Sequence, residues 1–350
     1  MQTILLYGAN GYTGNLIARM AADYGITPIL AGRTEESIKP LAEELNYSYR
    51  IADLNDASQL DKALSGINVV LHAAGPFRFT AKPMIEACIR NGAHYLDITG
   101  EIMVYEMAKK YSAQATEKGV MLMPGVGFDV VPTDCIALTL KKKMPDANYL
   151  KLGFAGIGGS TSRGTATSMA QNLGRPSAVR KNGKIMPVPL GHKSMWLDYN
   201  GKKIFLMSIP WGDVSTAYTT TGIPDIETYT AVPPKLHRML RFQSLFNWLL
   251  RTDLAKKYVL NKIKKSPPGP SDERRAKAKS VVWGEAGNAK GEKVTAKLQC
   301  AEGYTLTAMS SLLIARKVLN GEFKSGYQTP AGCYGEKIIE EIPGTIILEN

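Results

Sequence analysis

The stretch LLYGANGYTGN, Leu5 to Asn15, closes a short apolar run and sets Gly8, Gly11 and Gly14 at regular three-residue intervals. A glycine triplet alone is as readily a tight turn as a site, because glycine serves wherever backbone turns left-handed. Its surroundings decide. From residue 3 to about 145, short apolar runs alternate with longer amphipathic ones. TILLY precedes Tyr12 to Asp23, PILA precedes Glu35 to Leu45, and YSYRI precedes Ala57 to Leu64. NVVLHAA then leads to Lys82 through Arg90, HYLDI to Val104 through Glu117, and VMLMPG to Asp134 through Lys143. Six strand-then-helix repeats predict an α/β fold with a parallel, doubly wound sheet. The strands lack clean alternation, as expected where helices cover both faces.

In that frame the glycines lie between the first strand and the first helix, at the carboxyl edge where open α/β sheets bind ligands. Bare backbone there admits a pyrophosphate, whose charge the amides of the helix N-terminus stabilise. Gly8, Asn10, Gly11, Tyr12, Thr13 and Gly14 are the candidate phosphate-binding residues, Thr13 adding a hydroxyl donor. The spacing is G-x-x-G-x-x-G, one step looser than the usual dinucleotide fingerprint. The end of the second strand selects the nucleotide: an acidic residue there holds a ribose, whereas arginine suits a 2′-phosphate. Here AGR puts Arg33 in place, with Thr34 and Ser37 as further donors, which favours NADP; in the alternative Arg33 is solvated and Glu35 or Glu36 holds the ribose. Asp53, ending the third strand, either accepts from the adenine amino group or caps the next helix, a role for which Asn55 competes. Ala74, Gly75, Pro76 and Phe77 end the fourth strand with small residues beside the expected nicotinamide ribose.

GANGYTG, AGR, HAAGPF, PMIEACIRNGAHYLDITGE and PGVGFDVVPTD together resemble the saccharopine dehydrogenase-like oxidoreductases, in particular the branch with the trans-acting enoyl reductases of bacterial lipid synthesis. GGSTSRGTATS, PPGPSDERR, VVWGE and GYQTPAGCYG extend the likeness over nearly the whole chain. The resemblance implies an NADP-binding Rossmann domain over residues 1–145, with the segment 304–350 packing back on it. It implies a second, mixed α/β domain over 146–303 for substrate or oligomerisation.

In that second region YLKLGFAGI, KIFLMSI, TAYTTT, TYTAV, KSVVWGEA and EKVTAKLQC read as strands of an antiparallel sheet, the last two joined by a glycine-containing hairpin. GGSTSRGTATSM is the richest polar stretch; its hydroxyls and Arg163 form either a donor loop for a carbonyl or carboxylate oxygen, or a turn with ordinary caps. Asp129 and Asp134 flank Pro132 beyond the sixth strand. Asp129 is the candidate proton donor, if burial raises its pKa, while Asp134 is read as a helix cap. Asp97 and Glu101 are comparable carboxylates, and the histidines read as structural. No Gly-x-Ser-x-Gly elbow is present, which argues against an α/β-hydrolase.

Leu236 to Leu260, rich in leucine and aromatics but interrupted by Arg241 and Arg251, is too charged to span a membrane. Core packing is the default for such a run; lying on an anionic interface, covering a lipid-like substrate and forming a dimer surface are the alternatives.

The 350 residues exceed a usual single core, and 44% hydrophobic with 21% charged residues is ordinary globular composition. The net charge of +12 attracts acidic partners: phosphates, an acidic acyl carrier protein or an anionic membrane surface. Nothing points to nucleic acid, and a homodimer is open. Cys88, Cys135, Cys300 and Cys333 are too scattered for a zinc site or disulfide framework, so no metal is expected. Met1 and Gln2 run straight into the first strand without a leader pattern, giving a cytoplasmic expectation. Two function classes remain: an NADPH-dependent reductase acting on C=C of an enoyl thioester or, in the alternative, C=N of an imine, and a non-catalytic nucleotide-binding protein at a lipid surface. Enoyl reduction needs donors for one developing oxygen and an apolar channel, whereas saccharopine-type imine chemistry needs several cations. One arginine among the hydroxyls of GGSTSRGTATSM favours the enoyl substrate; Arg175, Arg180 and Lys181 weigh against it.

Overall fold

A computed structural model describes residues 3–199 and 201–348, Ser244 by its backbone alone. Met1 and Gln2, on which the leader reading rests, lie outside them. Contacts divide the chain into two units: Met1–Val131 with Tyr304–Ile342, and Pro132–Gly303 with Pro343–Asn350.

The first unit runs β1 (Ile4–Tyr7), α1 (Tyr12–Met20), β2 (Ile29–Gly32), α2 (Glu35–Leu45), β3 (Tyr49–Ile51), α3 (Ala57–Leu64), β4 (Val69–His72), α4 (Phe77–Asn91), β5 (His94–Asp97), α5 (Ile102–Lys110), α6 (Ser112–Glu117) and β6 (Met121–Met123). All six expected strands pair in parallel, in the order β6-β5-β4-β1-β2-β3. The crossover from β3 to β4 passes over β1 and β2, so the order reverses between β1 and β4. A crevice opens at such a switch point, above the carboxyl ends of the strands. Both sheet faces are covered: Leu5, Leu6, Leu30, Val70, Leu71 and Tyr95 are buried. Burial of that kind contributes on the order of 1.5–3 kcal/mol per large apolar side chain.

The second unit contains α7 (Val131–Lys143), β7 (Tyr149–Ile157), α8 (Arg163–Gln171), β8 (Ser177–Lys181), β9 (Lys184–Val188), β10 (Ser194–Tyr199), β11 (Lys202–Ser208), α9 (Asp213–Thr221), β12 (Asp225–Ala231), α10 (Pro234–Arg241), α11 (Asn247–Leu250), α12 (Asp253–Lys264), α13 (Asp272–Lys277), β13 (Lys279–Gly287) and β14 (Lys293–Ala301). The chain then returns to the first unit with α14 (Gly303–Leu319), β15 (Gly326–Tyr327) and α15 (Pro330–Tyr334), and ends in the second with β16 (Ile346–Leu348). β15 adds a seventh parallel strand beside β6, and β16 pairs with β14.

The division falls at Val131 rather than near residue 145 because α7 packs on the second sheet: a Cβ built on Gly284 of β13 would lie 2.5 Å from Ile136 and 2.7 Å from Leu140. That sheet runs β10-β11-β12-β7-β13-β14-β16, with β8 paired to β12 and β9 to β8. It is mixed, not purely antiparallel, since β12 and β7 run parallel. TAYTTT, expected as a strand, belongs to helix α9. The helix accommodates its threonines, whose hydroxyls donate to carbonyls four residues back, Thr221 to Ala217 at 2.6 Å and Thr219 to Ser215 at 3.3 Å. No helix among the described residues is long and apolar enough to cross a membrane.

Candidate nucleotide site and its carboxylate rim

The glycine turn is built for close approach of backbone. Gly8 has φ +86°, and a Cβ there would lie 2.8 Å from the Cβ and N of Ala74, across the switch point. A Cβ on Gly14 would enter the Gly8 carbonyl and come within 2.9 Å of Ala9 Cα, so this glycine is what lets α1 lean on β1. Gly11 differs from both. It is the N-cap of α1, with φ −71°, ψ 160° and no side chain over the helix end, and a Cβ there would meet only the Gly8 oxygen, at 3.3 Å. Two of the glycines therefore serve packing and the middle one leaves the helix N-terminus open. Asn10 is exposed and Thr13 half-buried, while the Tyr12 ring packs edge-on against Tyr304 of α14 at 5.1 Å.

At the end of β2, Arg33 is exposed and forms no salt bridge among the described residues. Thr34 is the N-cap of α2, and its hydroxyl donates to Ser37 at 3.0 Å. Of the two acidic alternatives to Arg33, Glu35 is drawn away, Tyr49 donating to it at 2.7 Å and Lys39 lying 3.7 Å off, while Glu36 is exposed. Arg33 itself is an exposed cation at the carboxyl end of β2. Asp53 follows β3, and its Oδ1 accepts from the backbone and side chain of Asn55, both at 2.9 Å. The cap of α3 is neither of these residues but Asp56, which accepts from Gln59 N at 3.0 Å.

Beyond β4, Ala74, Gly75 and Pro76 lead into α4, which starts at Phe77, five residues before the expected start at Lys82. The peptide between Gly75 and Pro76 is cis. Thr80 donates to the Ala74 carbonyl at 2.7 Å and meets His72 Nε2 at 3.0 Å, so this histidine is structural; burial pulls its pKa down to about 3.

Carboxylates then mark the ends of β5 and β6. Asp97 is fully buried, accepting from Tyr95 at 2.6 Å and from the amides of Thr99 and Gly125, each at 2.9 Å. Burial pushes its pKa up to about 6 against those hydrogen bonds, and it ties the two loops together. Glu101 reaches back to the amides of Phe77 at 2.9 Å and Arg78 at 3.3 Å, so its carboxylate caps α4 from another loop. Burial raises its pKa, with the two amides opposing. Asp129, on the loop after β6, packs against Gly100, where a Cβ would lie 2.5 Å from its Oδ2. Although half-buried by exposure, its carboxyl is crowded enough that desolvation pushes its pKa up to about 7. The Asp129 loop is fixed by α14: Phe128 N donates to Thr307 at 3.0 Å and Ser310 donates to Val126 O at 2.7 Å. Thr307 and Ser310 carry no local sequence signal, being some 180 residues from the loop.

Gly8 with Ala74, Phe77 with Glu101, and Gly100 with Asp129 make one continuous rim along the carboxyl edge of β1, β4, β5 and β6. Arg163 and Asp134 belong to the second unit. Arg163 opens α8, where Ser162 is the cap and the guanidinium donates to Lys264 O at 3.4 Å. Asp134 lies within the first turn of α7 and accepts from Thr220 at 2.6 Å. Among the described residues no cluster of three histidine, cysteine or acidic side chains is arranged to hold a metal ion.

Comparison with known proteins fits this geometry. Residues 4–123 match the saccharopine dehydrogenase NADP binding domain. The chain is similar to the saccharopine dehydrogenase-like oxidoreductases. It is 29% identical to the human saccharopine dehydrogenase-like oxidoreductase over 215 residues, 53% of this chain and 50% of that one. It is 32% identical to a trans-acting enoyl reductase of Mycobacterium bovis over 139 residues, 37% of this chain and 33% of that one. The alignment spans about half the length of the first curated relatives or less. The fold is that of yeast saccharopine dehydrogenase (L-Glu forming), with a TM-score of 0.67 at 15% identity, covering 100% of this chain and 99% of that one. Residues 4–123 thus form an NADP-binding domain, and the residues present fit the cofactor: an uncapped helix N-terminus behind Gly11, a glycine-only gap at Gly8, and the exposed Arg33 at the end of β2.

Proposed function

We propose that the protein is an NADPH-dependent reductase in which Asp129 supplies the proton and the substrate is an α,β-unsaturated acyl compound. The observation that carries the reading is the Asp129 carboxyl, held near pKa 7 on the same sheet edge as the glycine turn. A carboxyl that keeps its proton near neutrality is an acid matched to its task, which an ordinary aspartate is not. Bound NADPH supplies the hydride. Asp129 then delivers the proton that the reduced carbon or its enolate requires. Gly100 sets the carboxyl's position, since no side chain stands between them.

The enoyl substrate is supported by the partial likeness to the mycobacterial trans-acting enoyl reductase. Of the three basic residues that would argue for a multi-carboxylate substrate, Arg175 is exposed and the other two are engaged elsewhere. Arg180 is buried, donating to Val214 O at 2.7 Å and Gly183 O at 2.6 Å, and Lys181 is paired with Asp225. The test is NADPH consumption with a long-chain 2-enoyl thioester, set against 2-oxoglutarate plus lysine, in wild type and Asp129→Asn. Turnover of the thioester that falls in the variant supports the reading. Turnover confined to the amino-acid pair overturns the enoyl substrate, and an unimpaired Asp129→Asn enzyme overturns the proton donor.

A further inference from the structure

The segment from α10 to α12 is amphipathic the wrong way round for a core. Half of the large hydrophobic side chains that are exposed among the described residues fall between Leu236 and Tyr258. Phe242 is 65% exposed, Trp248 72% and Leu254 82%. The segment is held to its unit by few side chains: His237 Nε2 meets Gly191 O at 2.9 Å and its ring lies 5.2 Å from that of Phe205, and Arg251 donates to Gly174 O at 2.8 Å. Core packing, the default for such a run, is therefore not what the structure shows. Exposed apolar surface on this scale marks an interaction site.

Beneath the apolar residues lies a cavity of about 200 Å³ walled by Arg175 and Arg241, with Leu240, Pro189, Gln243 and Asn247. Neither guanidinium forms a salt bridge among the described residues, and Arg175 and Arg241 are both exposed. From Pro234 to Lys265 the chain carries nine lysines and arginines against one carboxylate, Asp253.

We infer that this face is a lipid-docking surface: α10 to α12 lie in the plane of an anionic membrane or monolayer, their apolar side chains entering the acyl boundary while Arg175 and Arg241 receive a phosphate-bearing headgroup. Charge selects the occupant. A second copy would bring two such basic faces together, because a two-fold interface meets its own surface. Lipid phosphates neutralise them. Aromatic residues beside lysine and arginine are also the composition of interfacial helices, each side chain adding buried apolar area.

The test is flotation of the full chain with vesicles of phosphatidylcholine alone and of phosphatidylcholine mixed with phosphatidylserine, at low and high salt. Binding is expected to the mixed vesicles and to fall with salt. A Trp248→Ser, Leu254→Ser variant should lose about tenfold or more in partitioning. Its melting temperature should be unchanged, since both side chains are exposed. An Arg175→Gln, Arg241→Gln variant should lose the preference for the anionic vesicles. Absence of flotation at low salt, equal flotation with neutral vesicles, or self-association abolished by the serine variant without lipid binding would each overturn the inference.

Discussion

Gly11→Ala should separate nucleotide binding from folding. Gly11 has φ −71° and ψ 160°, a conformation alanine adopts freely, and its Cβ would meet only the Gly8 oxygen, at 3.3 Å. A shift of a few tenths of an ångström relieves that contact, so the folding cost should stay within about 0.5 kcal/mol. The methyl nonetheless stands over the N-terminus of α1, where a pyrophosphate oxygen must come to about 2.7–3.2 Å of an amide nitrogen. Each charge-assisted hydrogen bond lost there is worth about 1.5–3 kcal/mol. NADPH affinity should therefore fall roughly 10–150-fold per bond. Gly14→Ala is the control of opposite kind. Its Cβ would enter the Gly8 carbonyl and lie 2.9 Å from Ala9 Cα, so α1 must move off β1. Overpacking of that sort costs about 1–3 kcal/mol. In a unit of this size that lowers the melting temperature by roughly 2–12 °C. The assay is cofactor fluorescence titration alongside thermal unfolding of the same samples. If Gly11→Ala bound NADPH as wild type does, no pyrophosphate would sit over α1; if it melted as low as Gly14→Ala, the division of labour between the glycines would be wrong.

Arg33→Ala should weaken NADPH by about 10–100-fold and leave NADH nearly unchanged, as read by paired titrations; equal losses would remove the 2′-phosphate assignment. Turnover should fall as pH rises through about 7, where Asp129 loses its proton, and Asp129→Asn should abolish that limb of the profile along with most of the rate. The raised carboxyls also act on stability. Their folded-state values exceed the unfolded ones, so their contribution is present below the ordinary carboxylate range and lost as pH rises through about 6 for Asp97 and about 7 for Asp129. Melting temperature should drop over that window, and drop less in Asp129→Asn. Glu101→Gln keeps the shape but loses the charge that caps α4, and should cost about 1 kcal/mol in denaturant unfolding with NADPH affinity largely retained.

The first sheet was legible because each strand and its helix are neighbours in sequence. β1 to β6, α2 and α3 follow from local apolar runs and caps, and the glycine turn from its place after β1. What escaped depends on contacts made far along the chain. β15 is a two-residue strand that exists because Gly326 and Tyr327 find the open edge of β6. Glu101 reads as one acid among several until the chain brings it to the amides of Phe77 and Arg78. TAYTTT has the β-branched composition of a strand yet is helix, its hydroxyls donating to carbonyls four residues back and, at Thr220, to Asp134. Asp56 lay within reach of the caps considered for α3, but Asn55 and Asp53 carry the same chemistry, and sequence alone does not rank three adjacent acceptors.

The chain visits each unit twice, leaving the first at Val131, returning at Tyr304, and ending in the second. On a ribosome the nucleotide fold emerges early, yet the loop carrying Asp129, tied at its start to Asp97, gains its braces from Thr307 and Ser310 only nearly two hundred residues later. Pyrophosphate cradle and proton donor would thus mature at different moments of synthesis, the cradle from nearby contacts and the acid only after the intervening unit has been made. Nor does any single cut of the backbone divide the molecule into its two halves. A fragment stopping short of α14 should retain the glycine turn while lacking the braces on the Asp129 loop, and a nick beyond Ile342 would strip β16 from the sheet it closes.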